Sequence, residues 1–272
     1  MGNDKKEEKA KEVQTVMNRC SVDEVIELGS CTLSIFDASS IQGASILVGF
    51  PNIGITPVLT CNYLVEDLDL PLVGCLDSNK MPAGAVISSV GQPSTPVRIF
   101  GDKRIVVVAS EMKVLPEMTR DLINIICALA RKIKSRMLYC VEGVPVEKVE
   151  KIERNEMNFL TTSSDFSKKL LDMGHKPLHD AVVSGITGGI ISQAAMCGSD
   201  PFELTAILAP TSSFYPDAWS SVMIIRCIDQ LETKWESNTA KLETSATELE
   251  SKVKDLMRSN LKRSGSYNSM YA

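Results

Sequence analysis

Long apolar runs are missing from this sequence, and none approaches the roughly 18 residues of a membrane span. The charged opening MGNDKKEEKAKE also lacks the apolar stretch of a secretion signal. Met1-Gly2 would suit myristoylation, but Lys6 stands where that motif wants Ser or Thr. Histidine is scarce: His175 and His179 are spaced for zinc on a helix, yet Pro177 lies between them and no nearby cysteine completes a site. They read as a loop pair. The eight cysteines (20, 31, 61, 75, 127, 140, 197 and 227) include no C-x-x-C pair. Several sit in apolar runs, as Cys127 does in LINIICALA, and read as buried hydrophobes of a reducing cytoplasm. No G-x-S-x-G nucleophile elbow occurs. A net charge of −5 removes the case for broad nucleic-acid binding. These absences predict a cytoplasmic protein with no membrane or nucleic-acid partner, no metal and no cofactor.

What is present is an ordinary globular composition, 44% hydrophobic and 23% charged over 272 residues. That length buries a substantial core, with roughly 200 to 230 residues available to one α/β domain. Its organising stretch is ILVGFPNIGITP, Ile46–Pro57. Ile46, Leu47, Val48 and Phe50 predict a buried strand, Pro51-Asn52 and Gly54 a turn, and Thr56-Pro57 a helix start. Turns of this kind lie at the C-terminal ends of strands, where α/β proteins bind ligands. Gly54 either lets backbone N–H groups hold an anion or only lets the chain reverse. The spacing matches neither G-x-G-x-x-G nor a P-loop and no lysine follows Gly54, which favours the conformational reading.

Residues 1–19 are mixed in charge, free of aromatics and expected to be flexible. Strands are predicted at Val25–Leu28, Thr32–Phe36, Ile46–Phe50 and Leu72–Asp77, with a helix at Thr56–Leu68. Ala85–Val90 and Val97–Gly101 flank the loop GQPSTP as a predicted hairpin. After a strand at Ile105–Ser110, Leu122, Ile125, Ile126 and Leu129 form the apolar stripe of a helix over Pro116–Ser135. Arg136–Val141 is the next strand, ended by Glu142-Gly143, followed by Phe159–Thr162 and a helix at Ser164–Met173. Gly185–Gly189 opens a helix at Ile190–Cys197, Leu204–Ala209 is the last strand, and Asp217 caps a helix from Ala218. The alternation predicts a sheet with helices on both faces. Asp77, Glu111 and Glu142 each follow a strand, a place for catalytic carboxylates but also for ordinary exposed polar residues.

From Leu231 to Leu261 there is neither proline nor glycine. Trp235, Leu242, Leu249 and Leu256 recur every seven residues, but Asn238, Ser245 and Lys252 are polar, so half of a coiled-coil seam is absent. This predicts a single helix projecting from the domain, about 45 Å for thirty residues. The basic residues Lys252, Lys254, Arg258, Lys262 and Arg263 form a solvated face suited to an acidic surface. Arg263-Ser264-Gly265-Ser266 is a hinge before the terminal Met270-Tyr271-Ala272.

LVGFPNIGITP, NYLVEDL, LVGCLDS, VGQPSTPVRIF before RIVVVASEM, and SGITGGI before FELTAILAPT occur in an order that resembles the proteasome assembly chaperone family, in particular its archaeal homo-oligomeric members. The likeness covers roughly Ile35–Leu231. It implies a three-layer α/β sandwich with a phosphorylase-like sheet, no catalytic site, and assembly into a homo-oligomer, a tetramer or pentamer. The domain plan is then a flexible 1–19, an α/β domain over 20–231, a projecting helix over 232–263 and a tail over 264–272. Met270, Tyr271 and Ala272 match the hydrophobic–Tyr–X terminus of proteasome activators. In those, the motif enters pockets between α subunits of the 20S ring, its carboxylate pairing with a lysine. The residue types suit that role: a carboxylate gains a charge-assisted bond in such a pocket, tyrosine is a rigid body with a polar tip, and methionine fills irregular gaps. The expected function is an ATP-independent proteasome-binding factor, an activator, an assembly chaperone or both. The alternative is an enzyme of nucleoside-phosphorylase type with Gly49, Gly54 and Gly185–Gly189 around a phosphate. It needs a basic residue near those turns, and the nearest in sequence to Gly54 is Lys80, well beyond both that turn and its helix.

Overall fold

β-Branched and leucine-rich segments of five to eight residues make the centre of the molecule, and their two-residue period decides what each face meets. The computed structural model describes residues 21–87, 93–146, 156–196, 201–213, 216–232, 235 and 237–247. Residues 1–19, the hinge after Arg263, and Met270, Tyr271 and Ala272 therefore lie outside the described residues.

In chain order the strands and helices are β1 Glu24–Leu28, β2 Cys31–Ile35, β3 Ser45–Gly49, α1 Thr56–Asp67, β4 Leu72–Ser78, β5 Val86–Ile87, β6 Pro93–Ser94, β7 Val97–Gly101 and β8 Ile105–Ser110. Then come α2 Pro116–Lys132, β9 Leu138–Pro145, β10 Asn158–Thr161, α3 Ser164–Asp172, β11 Lys176–Pro177, α4 Gly185–Ala195, β12 Leu204–Thr211 and α5 Ala218–Leu231. Ten strands form one sheet in the order β1-β2-β4-β7-β8-β3-β9-β12-β10-β11. Its middle, β8-β3-β9-β12, is parallel, and β1, β2, β4 and β7 form an antiparallel wing.

Helices cover both faces, giving the expected three layers. Ile46 and Val48 of β3, Val106 and Val108 of β8, and Leu138 and Cys140 of β9 face a core shared with α2 and Ile190 of α4. Leu47, Val107, Tyr139 and Ile207 point the other way, toward α1, α3 and α5. Helix α2 is anchored by Met118, Leu122, Ile125, Ile126 and Leu129, all buried. Each such side chain contributes on the order of 1.5–3 kcal/mol. Cysteines 31, 61, 127, 140 and 227 are buried free thiols. No helix among the described residues is long and apolar enough to cross a membrane.

Four local expectations change. The predicted hairpin is instead a small β5–β6 pair outside the main sheet, and Val97–Gly101 lies between β4 and β8. Strand β9 does not stop at Glu142 but runs to Pro145, because β12 pairs with it along its whole length. Helix α4 starts at Gly185, so the glycine cluster is helix rather than loop. Most consequentially, α5 ends at Leu231, with Glu232 extended at φ −111° and ψ 98°. Helix resumes at 240–247, where Leu242 and Ala246 are buried against the body. The expected helix projecting unbroken from residue 232 is therefore interrupted at Glu232, and its described portion at 240–247 lies against the body.

Candidate functional site

Strand β3 leads through α1 to β4 on one side of the sheet, while its neighbour β9 leads toward β10 on the other. Such a reversal opens a crevice at the carboxyl ends of the two strands. Here the crevice is a cavity of about 200 Å³ lined by residues from five places. Phe50, Pro51 and Asn52 follow β3, Lys113 and Val114 follow β8, and Thr119 stands on α2. Glu142 comes from β9, and Ser184, Gly185 and Ile186 from the start of α4.

Glu142 is the fixed carboxylate of this cavity. Asn52 donates its amide to Oε2, and Thr187 donates its hydroxyl to Oε1 at 2.5 Å. Asn52 is itself held, its carbonyl oxygen accepting the Ile53 N–H at 2.7 Å. Burial pushes the Glu142 carboxyl up, and the Thr187 and Asn52 donors pull it partly back. Lys113 is exposed and has no ion-pair partner among the described residues, so one cavity holds an anchored carboxylate and an unengaged ammonium. The other predicted carboxylates lie elsewhere. Glu111 pairs with Arg98, and Asp77 is exposed at the end of β4.

The glycines divide by role. Gly54 has φ +65° and packs so closely on Thr211 that a Cβ would come within 2.6 Å of its hydroxyl. It turns the chain and does not line the cavity, which agrees with the conformational reading. Gly189 lets α4 approach Ile123 of α2, where a Cβ would meet Cδ1 at 2.1 Å. Beyond Gly54, Ile55 is also left-handed at φ +47°, a costly conformation for a β-branched residue, on the order of 1–3 kcal/mol. It is held because the Asp217 N–H donates to the Gly54 carbonyl at 3.1 Å and the Ile55 N–H to the Asn52 carbonyl at 3.0 Å. The Thr56 hydroxyl does not cap α1 but pairs with that of Thr211 at 2.9 Å. Lys113, Thr187 and Asn52 escaped the sequence reading. Asn52 carried a signal in its place in the turn after an apolar strand, and Thr187 in its place within the glycine cluster; Lys113 carried none.

The two histidines are not a pair. His175 is buried, with Nδ1 accepting the Met157 N–H at 3.4 Å, and burial lowers its pKa. His179 is exposed, and no group of three metal-ligating side chains exists among the described residues.

On the opposite face, the chain after α5 is strapped to the body. Glu232 accepts the Ser45 hydroxyl at 2.5 Å and the Tyr139 hydroxyl at 3.2 Å. Trp235 is fully buried, edge-on to Tyr139 with ring centroids 5.7 Å apart. Tyr63 donates to the Asn238 carbonyl at 2.5 Å, the Asn238 N–H donates to Asp67 at 2.7 Å, and Arg226 pairs with Glu243 at 2.6 Å. The terminal tripeptide predicted to bind a partner lies beyond the described residues.

Residues 46–257 match the model of the PAC2 family. No curated protein matches the chain. Among solved structures, Pyrococcus furiosus PbaA, an archaeal homolog of proteasome-assembly chaperone, superposes with a TM-score of 0.74 at 19% identity, covering 90% of this chain and 100% of that one. Pyrococcus furiosus PbaB, an archaeal proteasome activator, gives 0.71 at 14% identity, covering 84% and 99%. A Mycobacterium tuberculosis proteasome-assembly chaperone homologue gives 0.57 at 14%, covering 78% and 94%. At these identities the likeness is one of fold. The names describe assembly-chaperone homologues and an activator rather than enzymes.

Proposed function

This chain belongs to the PAC2 family, and from that premise we propose that it is an ATP-independent factor that binds the 20S proteasome. Its C-terminal Met270, Tyr271 and Ala272 dock between α subunits, and it acts as activator, assembly chaperone or both. The observation that carries this reading is the hydrophobic–Tyr–X tripeptide at the end of a chain of this family. Two structural neighbours named for the proteasome support it. Trp235 and residues 237–247 are tied to the α/β body, so the docking mode does not call on them for reach.

A single short tail binds weakly. In a homo-oligomer, once one tail is seated, the others face their pockets at high effective concentration, amplifying affinity by about 10² or more. The α/β domain then serves as a platform that carries several tails.

The test is a pull-down of 20S core particles from the same source, beside fluorogenic peptide hydrolysis. Deleting Met270–Ala272, or Tyr271→Ala, should weaken 20S binding at least tenfold while the thermal melting of the α/β domain stays unchanged. Stimulated hydrolysis identifies an activator. A changed yield of assembled particles without stimulation identifies a chaperone. Full binding by the truncated chain would overturn the docking mode.

A further inference from the structure

We propose that the crevice between the ends of β3 and β9 binds a small zwitterion, an α-amino acid with an apolar side chain. This inference is independent of the tail and of any proteasome contact.

Size sets the first limit. A cavity of about 200 Å³ lies below the roughly 300–1,000 Å³ of sites for drug-sized ligands, which suits a small ligand better than a nucleoside. Charge sets the second. A free phosphate would find Lys113, but it would also meet Glu142, an anchored carboxylate lining the same cavity. A simple amine would find Glu142 and be repelled by Lys113. A ligand carrying both signs a few atoms apart satisfies both walls at once.

The donors and acceptors fit that assignment. Glu142 receives one hydrogen bond at each oxygen, from Asn52 and Thr187, and a carboxylate accepts about four in all. Each oxygen thus keeps capacity for the N–H groups of an ammonium. That cation would also hold the carboxyl in its charged form, against the effect of burial. Lys113 offers an ammonium with no partner among the described residues to the ligand carboxylate, and Ser184 a hydroxyl on the same cavity. Phe50, Val114 and Ile186 supply an apolar wall for the side chain. Asn52 and Thr187 position Glu142 without themselves being required to touch the ligand.

Site rigidity supports the same reading. The turn that presents Asn52 contains the left-handed Ile55, kept in place by Asp217, and strained backbone of this kind concentrates where a site must be held in one geometry. The strand that carries Glu142 pairs with β12 at Glu142 itself, and with β3 up to Cys140 just before it.

The experiment is isothermal titration calorimetry and thermal shift on the full chain. The probes are L-leucine, L-valine, L-methionine and L-phenylalanine, then N-acetyl-L-leucine, L-leucinamide and inorganic phosphate. At least one free amino acid should bind at one per chain and raise the melting temperature. Blocking its amine or its carboxylate should weaken binding at least tenfold, and phosphate should not compete. Glu142→Gln and Lys113→Met should each weaken binding at least tenfold while leaving the fold intact by circular dichroism. Lys132→Met, at the other end of α2 from Thr119 and paired with Glu24, should change nothing. Competition by phosphate would overturn the assignment in favour of an anion site. Failure of all four amino acids to bind at millimolar concentration, or binding indifferent to both Glu142→Gln and Lys113→Met, would overturn it outright.

Discussion

The layer formed by α2 and α4 meets the sheet through hydrocarbon and thiol groups, from Met118 through Ile126 and Cys127 to Ile133 and Ile190. The layer formed by α1, α3 and α5 also buries Leu64, Ile224 and Ile228, but threads polar groups through them: Ser45, Thr56, Ser221, Thr211 and the carboxylate of Glu232. Apart from the Thr187–Glu142 bond at the crevice and the Gln193–Asn124 bond between its helices, the first layer is held by non-directional burial, which tolerates exchange of one apolar side chain for another of similar volume. The second is held by directional bonds between residues far apart in the chain, Ser45 with Glu232 and Thr56 with Ser221. Its order therefore depends on the late-sequence segment that returns over it.

Truncation of one anchor in each layer tests that contrast most strongly. Trp235→Ala and Ile126→Ala should each cost about 3–5 and 2–5 kcal/mol respectively in denaturant unfolding. Only Trp235→Ala should also expose residues 237–247 to limited proteolysis under native conditions, since Trp235 seats the strap beside Tyr139. If the Ile126 variant loosened the strap equally, the two layers would not be independent.

A smaller effect is expected at Glu232. Glu232→Ala leaves the buried Ser45 and Tyr139 hydroxyls without their acceptor and should cost about 2–3 kcal/mol in the same measurement. Burial and the neighbouring Glu232 carboxylate both push the Tyr139 hydroxyl far above its ordinary range. Its phenolate absorbance should accordingly stay absent until the protein unfolds in alkali.

The smallest effect concerns the edge of the α2 layer, where polar bonds do occur. Asp121 accepts the Ser30 hydroxyl at 2.6 Å and the Ser30 N–H at 2.9 Å and pairs with Lys80 at 3.3 Å, and these donors bring its carboxyl down to about 2. A carboxyl lowered on folding stabilises the fold above the unfolded value of 3.8 and loses that contribution as the pH falls toward 2. Asp121→Asn should lower the melting temperature slightly at pH 7, and the gap from wild type should close between pH 4 and 2. A gap independent of pH would show that the Asp121 charge is not what ties the β1–β2 turn to α2.

The α2 layer was legible because its signals are local. The i, i+3, i+4 stripe of Leu122, Ile125, Ile126 and Leu129 and the Pro116 start are readable within one or two turns, and the helix spans Pro116–Lys132. The parallel strands were legible as β-branched runs, and Asp217 as a cap, its side chain accepting the Ser220 N–H at 3.2 Å. The crevice was legible only in part. The turn after β3 and the carboxylate Glu142 could be seen as separate features, but their meeting through Asn52, and the approach of Lys113 and Thr187, required strands distant in sequence to become neighbours. Along the chain Lys80 is the basic residue nearest Gly54, whereas in the folded molecule it is Lys113 that lines the cavity.

The break after Leu231 marks the boundary most sharply. Nothing between Leu231 and Leu261 opposes helix locally, since differences in propensity amount to about 0–0.7 kcal/mol per residue. Seating an indole removes some 150–250 Å² from water, about 4–6 kcal/mol, more than a few residues of continued helix return. Sequence alone determined the alternating elements, the two-faced sheet and the tripeptide at its end, because each is written in residues a few positions apart. Tertiary structure alone decided that α5 stops at Leu231 so that Trp235 can reach Tyr139, and that Glu142 and Lys113 share a cavity. Those outcomes depend on which distant surfaces are left to cover once the sheet has formed.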